Sequence, residues 1–314
     1  MKTLVYHDGG LGDTLLSVPC LHFLRRDSEH IHLVGRGDVC RFLKQAGVVQ
    51  DASSSDHALF ASLHSAVDPR LQTFLGRFDQ AFVFTTQDQS VTAAAIGRII
   101  PRIRIIRTIP PKNTIIQAAR YRLAQLDPEE RGLIDRARLD VPGESKTATR
   151  AMVSKAGYDQ SMRLMALHPG SGGRMKCWPL ERYFDVIERI QAAANVFVVM
   201  FTGEAEDEVT RKSVDAFTRT SRNRFHATNL DLLTGASLLT LSRLYIGNDS
   251  GFSHLAGLIG CPSVVLYGPT DPGIWKPLGP YVNILSTKSF GPISEITTDE
   301  VINIIESVSG KSAT

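Results

Sequence analysis

A chain of 314 residues is too long for one ordinary α/β core and fits two domains of about 150 residues each. With 43% hydrophobic and 21% charged residues, no low-complexity tract and no solenoid period, the composition excludes disorder and repeat architectures. The net charge of +3 is unevenly spread: residues 1–150 carry 20 basic and 16 acidic side chains, residues 151–314 carry 15 and 16.

Only Leu4-Val5-Tyr6 precedes His7 and Asp8 as an apolar run, which is too short for a secretory signal, and no window is apolar enough to span a bilayer. A cytoplasmic protein is expected, reaching at most the inner face of the cytoplasmic membrane peripherally. Cys20, Cys40, Cys177 and Cys261 are scattered without metal-ligand spacing and read as reduced thiols.

In chain order, Leu4–Tyr6 predicts a strand, Gly9-Gly10-Leu11-Gly12 a tight turn and Thr14–Arg25 a helix, the opening of a βαβ unit. Strands follow at Ile31–Val34, Ala81–Phe84 and Ile103–Ile106, with helices at Val39–Gln45 and from about Thr114. Residues 140–158 weaken in pattern and are expected to connect two domains, 1–150 and 151–314. The second half restarts the alternation with apolar strands at Leu164–Leu167, Val196–Phe201, Leu244–Ile246 and Ser263–Leu266, continuous enough for burial on both faces. Helices are expected at Leu180–Ala193, Glu206–Thr218, Leu238–Leu241 and Ser253–Leu258, and at Asp299–Val308, the last free to pack back on the first domain. Two Rossmann-like, doubly wound α/β sheets place ligands at the carboxyl ends of their strands, and a cleft between them is the expected site.

The chemistry-bearing residues fall in the loops after strands. Gly9-Gly10-Leu11-Gly12-Asp13 departs from the dinucleotide fingerprint, because Leu15 stands at the third glycine position and Asp13 puts a carboxylate where a pyrophosphate would sit. A carboxylate there suits a general base that takes a proton from a substrate, and it equally suits a first-turn residue stabilising a helix dipole. His168-Pro169-Gly170-Ser171-Gly172-Gly173-Arg174-Met175-Lys176 is a glycine-rich loop with two cations, able to face an anion but lacking the P-loop pattern. Gly247-Asn248-Asp249-Ser250-Gly251-Phe252-Ser253-His254 opens a helix whose N–H groups, with the Ser250 hydroxyl, can receive a diphosphate. Asp249 can bond a sugar or ribose hydroxyl or orient the loop; His254 can neutralise a leaving diphosphate or serve only in packing. Gly203-Glu204-Ala205-Glu206 offers carboxylates on the same edge, Glu206 being a ribose binder or a helix-start carboxylate, and Tyr267–Pro272 is a turn-rich loop beside them.

The first half also holds a run of cations without a carboxylate, Arg98, Arg102, Arg104, Arg107, Lys112, Arg120 and Arg122. It is expected to draw a phosphorylated or acidic acceptor, with Arg104 and Arg107 as contacts, or to be a solvated face. Nucleic acid is not expected, since no aromatic residue interleaves the run before Tyr121.

Read in order, Leu11-Gly12-Asp13 with Pro19 and Leu24-Arg25, His168-Pro169-Gly170 through Lys176-x-Trp178-Pro179, Gly247-Asn248-Asp249-Ser250-Gly251-x-x-His254-Leu255-Ala256 and Leu266–Pro272 resemble glycosyltransferase family 9, the lipopolysaccharide heptosyltransferases. The resemblance implies a GT-B fold, inverting transfer without metal or other cofactor, an ADP-heptose donor held by the second half, and a lipopolysaccharide core acceptor. By motif position it implies Asp13 as general base, Lys176, Ser250, Gly251 and His254 as diphosphate binders, and Asp249 as a donor-site residue. Ser250 stands where threonine is common, and His7-Asp8 where a basic residue often ends the first strand. The competing expectations are a nucleotide-sugar epimerase on a similar fold and a non-catalytic nucleotide-sugar binder.

Overall fold

The computed structural model describes residues 1–64, 67–87, 89–203 and 206–311, and these divide into two compact units, Met1–Asp140 and Val141–Thr314. The first unit is a five-stranded parallel sheet of β1 (Lys2–His7), β2 (His30–Gly35), β3 (Asp51–Ser54), β4 (Gln80–Thr85) and β5 (Ile103–Arg107), in the order β3-β2-β1-β4-β5. Leu4 and Val5 are both fully buried although they point to opposite faces, the signature of a parallel sheet covered on both sides. On one face Leu4, Tyr6, Val34 and Val83 pack against Ala93 and Ile96 of the helix Val91–Gly97.

The predicted helix Thr14–Arg25 forms as two short pieces, Leu11–Leu16 and Val18–Leu24. Pro19 sits at the second start, where its missing N–H is tolerated, and Ser17 is the joint. The break places the Ser17 hydroxyl against His7, which matters for the site.

The second unit is a six-stranded parallel sheet of β6 (Arg163–His168), β7 (Val196–Thr202), β8 (Arg224–Thr228), β9 (Leu244–Asn248), β10 (Ser263–Tyr267) and β11 (Val282–Ser286), ordered β11-β10-β9-β6-β7-β8. Every residue of β7 is buried. Met165, Leu167, Val198, Met200, Ile246 and Leu266 share a core with Tyr183, Val186 and Ile187 of the helix Leu180–Ala193.

Two expectations about the second unit are corrected. The stretch 140–158 is not a connector: Gly143–Lys155 is a helix packed on the helix Leu232–Leu241, with the Ser145 and Ser237 hydroxyls 2.6 Å apart, so the units divide at Asp140. The last helix, Thr298–Lys311, packs on Leu180–Ala193 of its own unit, because Val301 and Ile305 join that core and Arg189 bonds Asp299 at 2.8 Å. Among the described residues no helix is long and apolar enough to cross a membrane, and all four cysteines are free thiols.

Candidate functional site

In the first unit strand order reverses between β1 and β4, and a crevice opens beyond their carboxyl ends, as this topology requires. A cavity of about 480 Å³ lies there, lined by His7, Asp8, Gly9 and Asp13 at and after the end of β1 and by Thr85, Gln87 and Ser90 at and after the end of β4. Gly9 has to be glycine: a Cβ would stand 2.7 Å from the His7 ring and 2.9 Å from the Asp13 Cβ. The missing side chain is what lets strand, turn and helix close up behind Asp13.

Asp13 lies in the first turn of Leu11–Leu16, its side chain about two-fifths exposed at the cavity. Its Oδ1 accepts from Arg122 Nη2 at 2.9 Å. Arg122 is fully buried, and its other donors reach the Asp13 carbonyl, Ser17 Oγ at 3.0 Å and Thr108 O at 2.9 Å. Burial pulls the Arg122 pKa down, while the Asp13 charge and hydrogen bond oppose that pull. A guanidinium can be buried this way because its rigid fork finds an acceptor for each edge.

His7 completes the arrangement. Its ring stacks on Phe84, Nδ1 accepts from the Gly9 N–H at 3.2 Å, and Nε2 faces Ser17 Oγ at 3.1 Å. Since Nδ1 accepts, the proton resides on Nε2 and is donated to Ser17, which passes its own to the Asp13 carbonyl at 3.3 Å. Burial, reinforced by the Arg122 charge, lowers the His7 pKa to about 3. The imidazole is therefore neutral at pH 7 and fixed in one tautomer.

In the second unit the reversal lies between β6 and β9, and the two glycine-containing motifs meet there. Buried Asn248, the last residue of β9, joins them. Its amide donates to Pro169 O at 2.6 Å, and its carbonyl accepts from the Trp178 N–H and the Tyr183 hydroxyl. Ser171 Oγ donates to Asp249 O at 2.6 Å, tying the same loop one residue further on. Ser250 caps the helix Gly251–Ile259, its hydroxyl accepting from the Ser253 N–H. The opening turn of that helix thus faces the loop that carries Lys176.

Lys176 Nζ stands 2.7 Å from Asp249 Oδ2, with the lysine part exposed and the carboxylate buried. Two of the predicted donor-side charges are thus brought together, and they neutralise each other. His254 is buried one turn into the helix, its backbone N–H bonded to Ser250 O.

Glu206, expected as a ribose binder or a helix-start carboxylate, lies just before the helix Glu208–Thr218 and faces the loop after β6. Its side chain is buried, with Oε1 3.3 Å from His168 Nε2 and Oε2 accepting from the Gly203 N–H. Burial alone would raise its pKa, yet the His168 contact and the Gly203 N–H hold it below the usual range. Its carboxylate fills the space a Cβ on Gly170 would occupy, so it clasps the loop after β6 from within. A sequence places a carboxylate after a strand; only packing says whether it faces water. Glu204 and Ala205 lie outside the described residues.

The basic run does not act as one surface. Arg98, Arg102, Arg104, Lys112 and Arg120 are exposed, and Arg107 at the end of β5 is half-buried. Arg104 Nη2 bonds Gln125 O at 2.6 Å, and the Gln125 side chain brackets the Arg107 backbone. Arg122, counted in the run from sequence, faces inward to Asp13, which corrects its reading as a surface charge. The helix Ala118–Ala124 carries the signal: Ala118, Ala119, Arg122 and Leu123 share its buried stripe.

The sequence profile of glycosyltransferase family 9 (heptosyltransferase) matches residues 110–300, more than half of the chain. Lipopolysaccharide heptosyltransferase 3 of Escherichia coli is 23% identical over 145 residues, 46% of this chain and 42% of that protein. Lipopolysaccharide heptosyltransferase 2 of E. coli K12 is 30% identical over 111 residues, 34% and 31% of the two chains. These matches span less than half the length of the curated relatives. In structure, E. coli ADP-heptose lps heptosyltransferase II superposes with a TM-score of 0.80 at 17% identity, covering 100% of both chains. A family 9 glycosyltransferase from Veillonella parvula does so with 0.79 at 20% identity, covering 98% and 96%. The two parallel-sheet units are the two halves of a GT-B fold. Profile, fold and the ordered motifs agree, and the chain belongs to glycosyltransferase family 9.

Proposed function

We propose that this protein is an inverting glycosyltransferase whose chemical step uses no metal, and that it moves heptose from ADP-heptose to a lipopolysaccharide core acceptor. The observation that carries the reading is Asp13 at a cavity mouth, one carboxylate oxygen held by a fully buried arginine. In the reaction an acceptor hydroxyl oxygen bonds the anomeric carbon as its proton passes to Asp13. The bond from that carbon to the diphosphate breaks, its electron pair leaving with ADP. One base and one attacking hydroxyl give inversion, since retention ordinarily needs a second nucleophile. Charge developing on the diphosphate is met by Lys176 and by the first-turn N–H groups and hydroxyl at Ser250 and Gly251, with His254 one turn behind. Asp249 holds Lys176 until donor arrives.

On this reading the first unit serves the acceptor and the second the donor. Arg104 and Arg107 are acceptor contacts, and the lipid of the acceptor brings the protein to the inner face of the cytoplasmic membrane. Support for that comes from Ile109 and Ile115, 50% and 83% exposed in the chain segment that carries Lys112. The relatives' names, heptosyltransferases of lipopolysaccharide, support the substrate pair.

A second reading has its own support, because a UDP-GlcNAc 2-epimerase from Methanocaldococcus jannaschii shares the fold with a TM-score of 0.53 at 11% identity. Incubating ADP-heptose with and without core acceptor in a chelator decides between them. The transferase releases ADP only with acceptor; release without acceptor, or dependence on added Mg²⁺, overturns the proposal. Asp13→Asn should keep the fold and donor affinity while transfer falls by roughly 10²–10⁴-fold, the scale of general base catalysis. A donor-binding variant with near-normal kcat would return Asp13 to helix stabilisation alone.

A further inference from the structure

At the other end of the first sheet, His30 and His32 lie two residues apart on β2 and so present their rings on one face. Asp51, the first residue of the edge strand β3, is the register partner of His32 and completes the group. One ligand atom from each of the three lies within 4.8 Å of the other two. The His30 Nε2 to Asp51 Oδ2 separation is 3.4 Å. Ligand atoms bound tetrahedrally at about 2.0–2.1 Å stand roughly 3.4 Å apart, so one edge of a tetrahedron is already formed.

The His32 ring is oriented by its surroundings. Phe74 and Phe78 meet it edge-on with centroids 5.0 and 5.7 Å away, and Nε2 lies 2.8 Å from Ser53 Oγ. An imidazole held through one ring nitrogen can offer the other to a metal in a fixed orientation, so with Nε2 against Ser53 the nitrogen for the ion is Nδ1. The three side chains are half-buried, which leaves a fourth position for water.

We propose that His30, His32 and Asp51 form a binding site for a late first-row divalent cation such as Zn²⁺, joining β3 to β2. Two imidazoles and a carboxylate suit that class and not Mg²⁺ or Ca²⁺, which take oxygen ligands. The site lies at the amino ends of β2 and β3, whereas the Asp13 cavity lies beyond the carboxyl ends of β1 and β4. A six-residue strand rises roughly 3.3 Å per residue, so the ion stands too far away to touch the reacting groups. Its effect is on the sheet edge, and the inference is independent of the transferase reading. Lys44 is the competitor, its Nζ 2.7 Å from Asp51 Oδ1, and cation binding must draw the carboxylate from it.

The test is titration of the chelator-treated full-length protein with Zn²⁺ against a chromophoric indicator, with the thermal midpoint read in parallel. One Zn²⁺ per chain and a raised midpoint are expected. His30→Gln, His32→Gln and Asp51→Asn should each weaken binding by at least roughly 10-fold, since losing even an outer partner of a ligand costs 10–100-fold. Lys44→Ala should tighten it, and that variant needs no buried group to be replaced. Binding that survives the His30→Gln, His32→Gln double variant belongs to other groups and overturns the assignment. Affinity unchanged in Lys44→Ala, or no saturable binding to the wild type, overturns it equally.

Discussion

Arg120 and Arg122 are two positions apart in one cationic run, yet they live in different media. Arg120 is exposed; Arg122 is fully buried and holds Asp13, Ser17 and Thr108. Arg122→Met should cost about 3 kcal/mol, the low end for breaking a buried pair because Asp13 keeps contact with water. Arg120→Met should change stability by less than about 0.5 kcal/mol, as surface substitutions do. Urea unfolding of both variants measures the contrast, and equal midpoints would mean that Arg122 does not support the turn. His7 gives a pH dependence with a definite sign. Its folded pKa, about 3, lies below the ordinary 6.5, so below pH 6.5 the unfolded chain takes up a proton that the native protein refuses. The His7 contribution is complete above pH 6.5 and is lost as pH falls toward 3, by up to about 1.4 kcal/mol per pH unit. The His7→Gln variant should lose that slope between pH 6 and 4, whatever its stability at pH 7. An unchanged slope would mean that another group titrates.

At the scale of elements, the donor-side assignment depends on two loops being held in register by their own polar groups. Asn248 and Ser171 tie the loop after β6 to the end of β9, and Glu206 with His168 fills the space beneath Gly170. Lys176, part exposed, and the buried Asp249 that pairs with it are the outcome of that scaffold. Lys176→Ala should lower kcat/KM about 30-fold or more, equivalent to about 2 kcal/mol of transition-state stabilisation. It should also destabilise the unit, because Asp249 is left buried without its counter-charge. Adding Asp249→Asn to that variant should restore the thermal midpoint without restoring the rate. If the double variant regains activity, Lys176 serves only to neutralise Asp249 and the diphosphate is stabilised elsewhere.

Across the whole molecule, the charge excess of the first half is the feature that bears on the proposed acceptor. Arg104 and Arg107 lie on the edge strand β5, where a phosphorylated acceptor can approach without opening the sheet. Arg104→Glu with Arg107→Glu should raise the acceptor KM and flatten its dependence on salt, while donor Kd stays as in the wild type. Unchanged acceptor kinetics would leave these charges as solvated surface.

What the sequence determined by itself was whatever depends on local pattern. Continuous apolar runs marked β1, β4, β6, β7, β9 and β10, because strands buried on both faces tolerate nothing else. The family followed from four motifs kept in order. The edge strands β3 (Asp-Ala-Ser-Ser) and β8 (Arg-Phe-His-Ala-Thr) were not readable, since half-buried edges carry little apolar signal and exist through pairing with β2 and β7. Tertiary structure alone decided that Arg122 turns inward, that Glu206 is a buried clasp, and that His30, His32 and Asp51 meet. Each is a contact between residues 19 or more positions apart or a choice between core and water. Charge, spacing and periodicity constrain such contacts only through the packing of the rest of the chain.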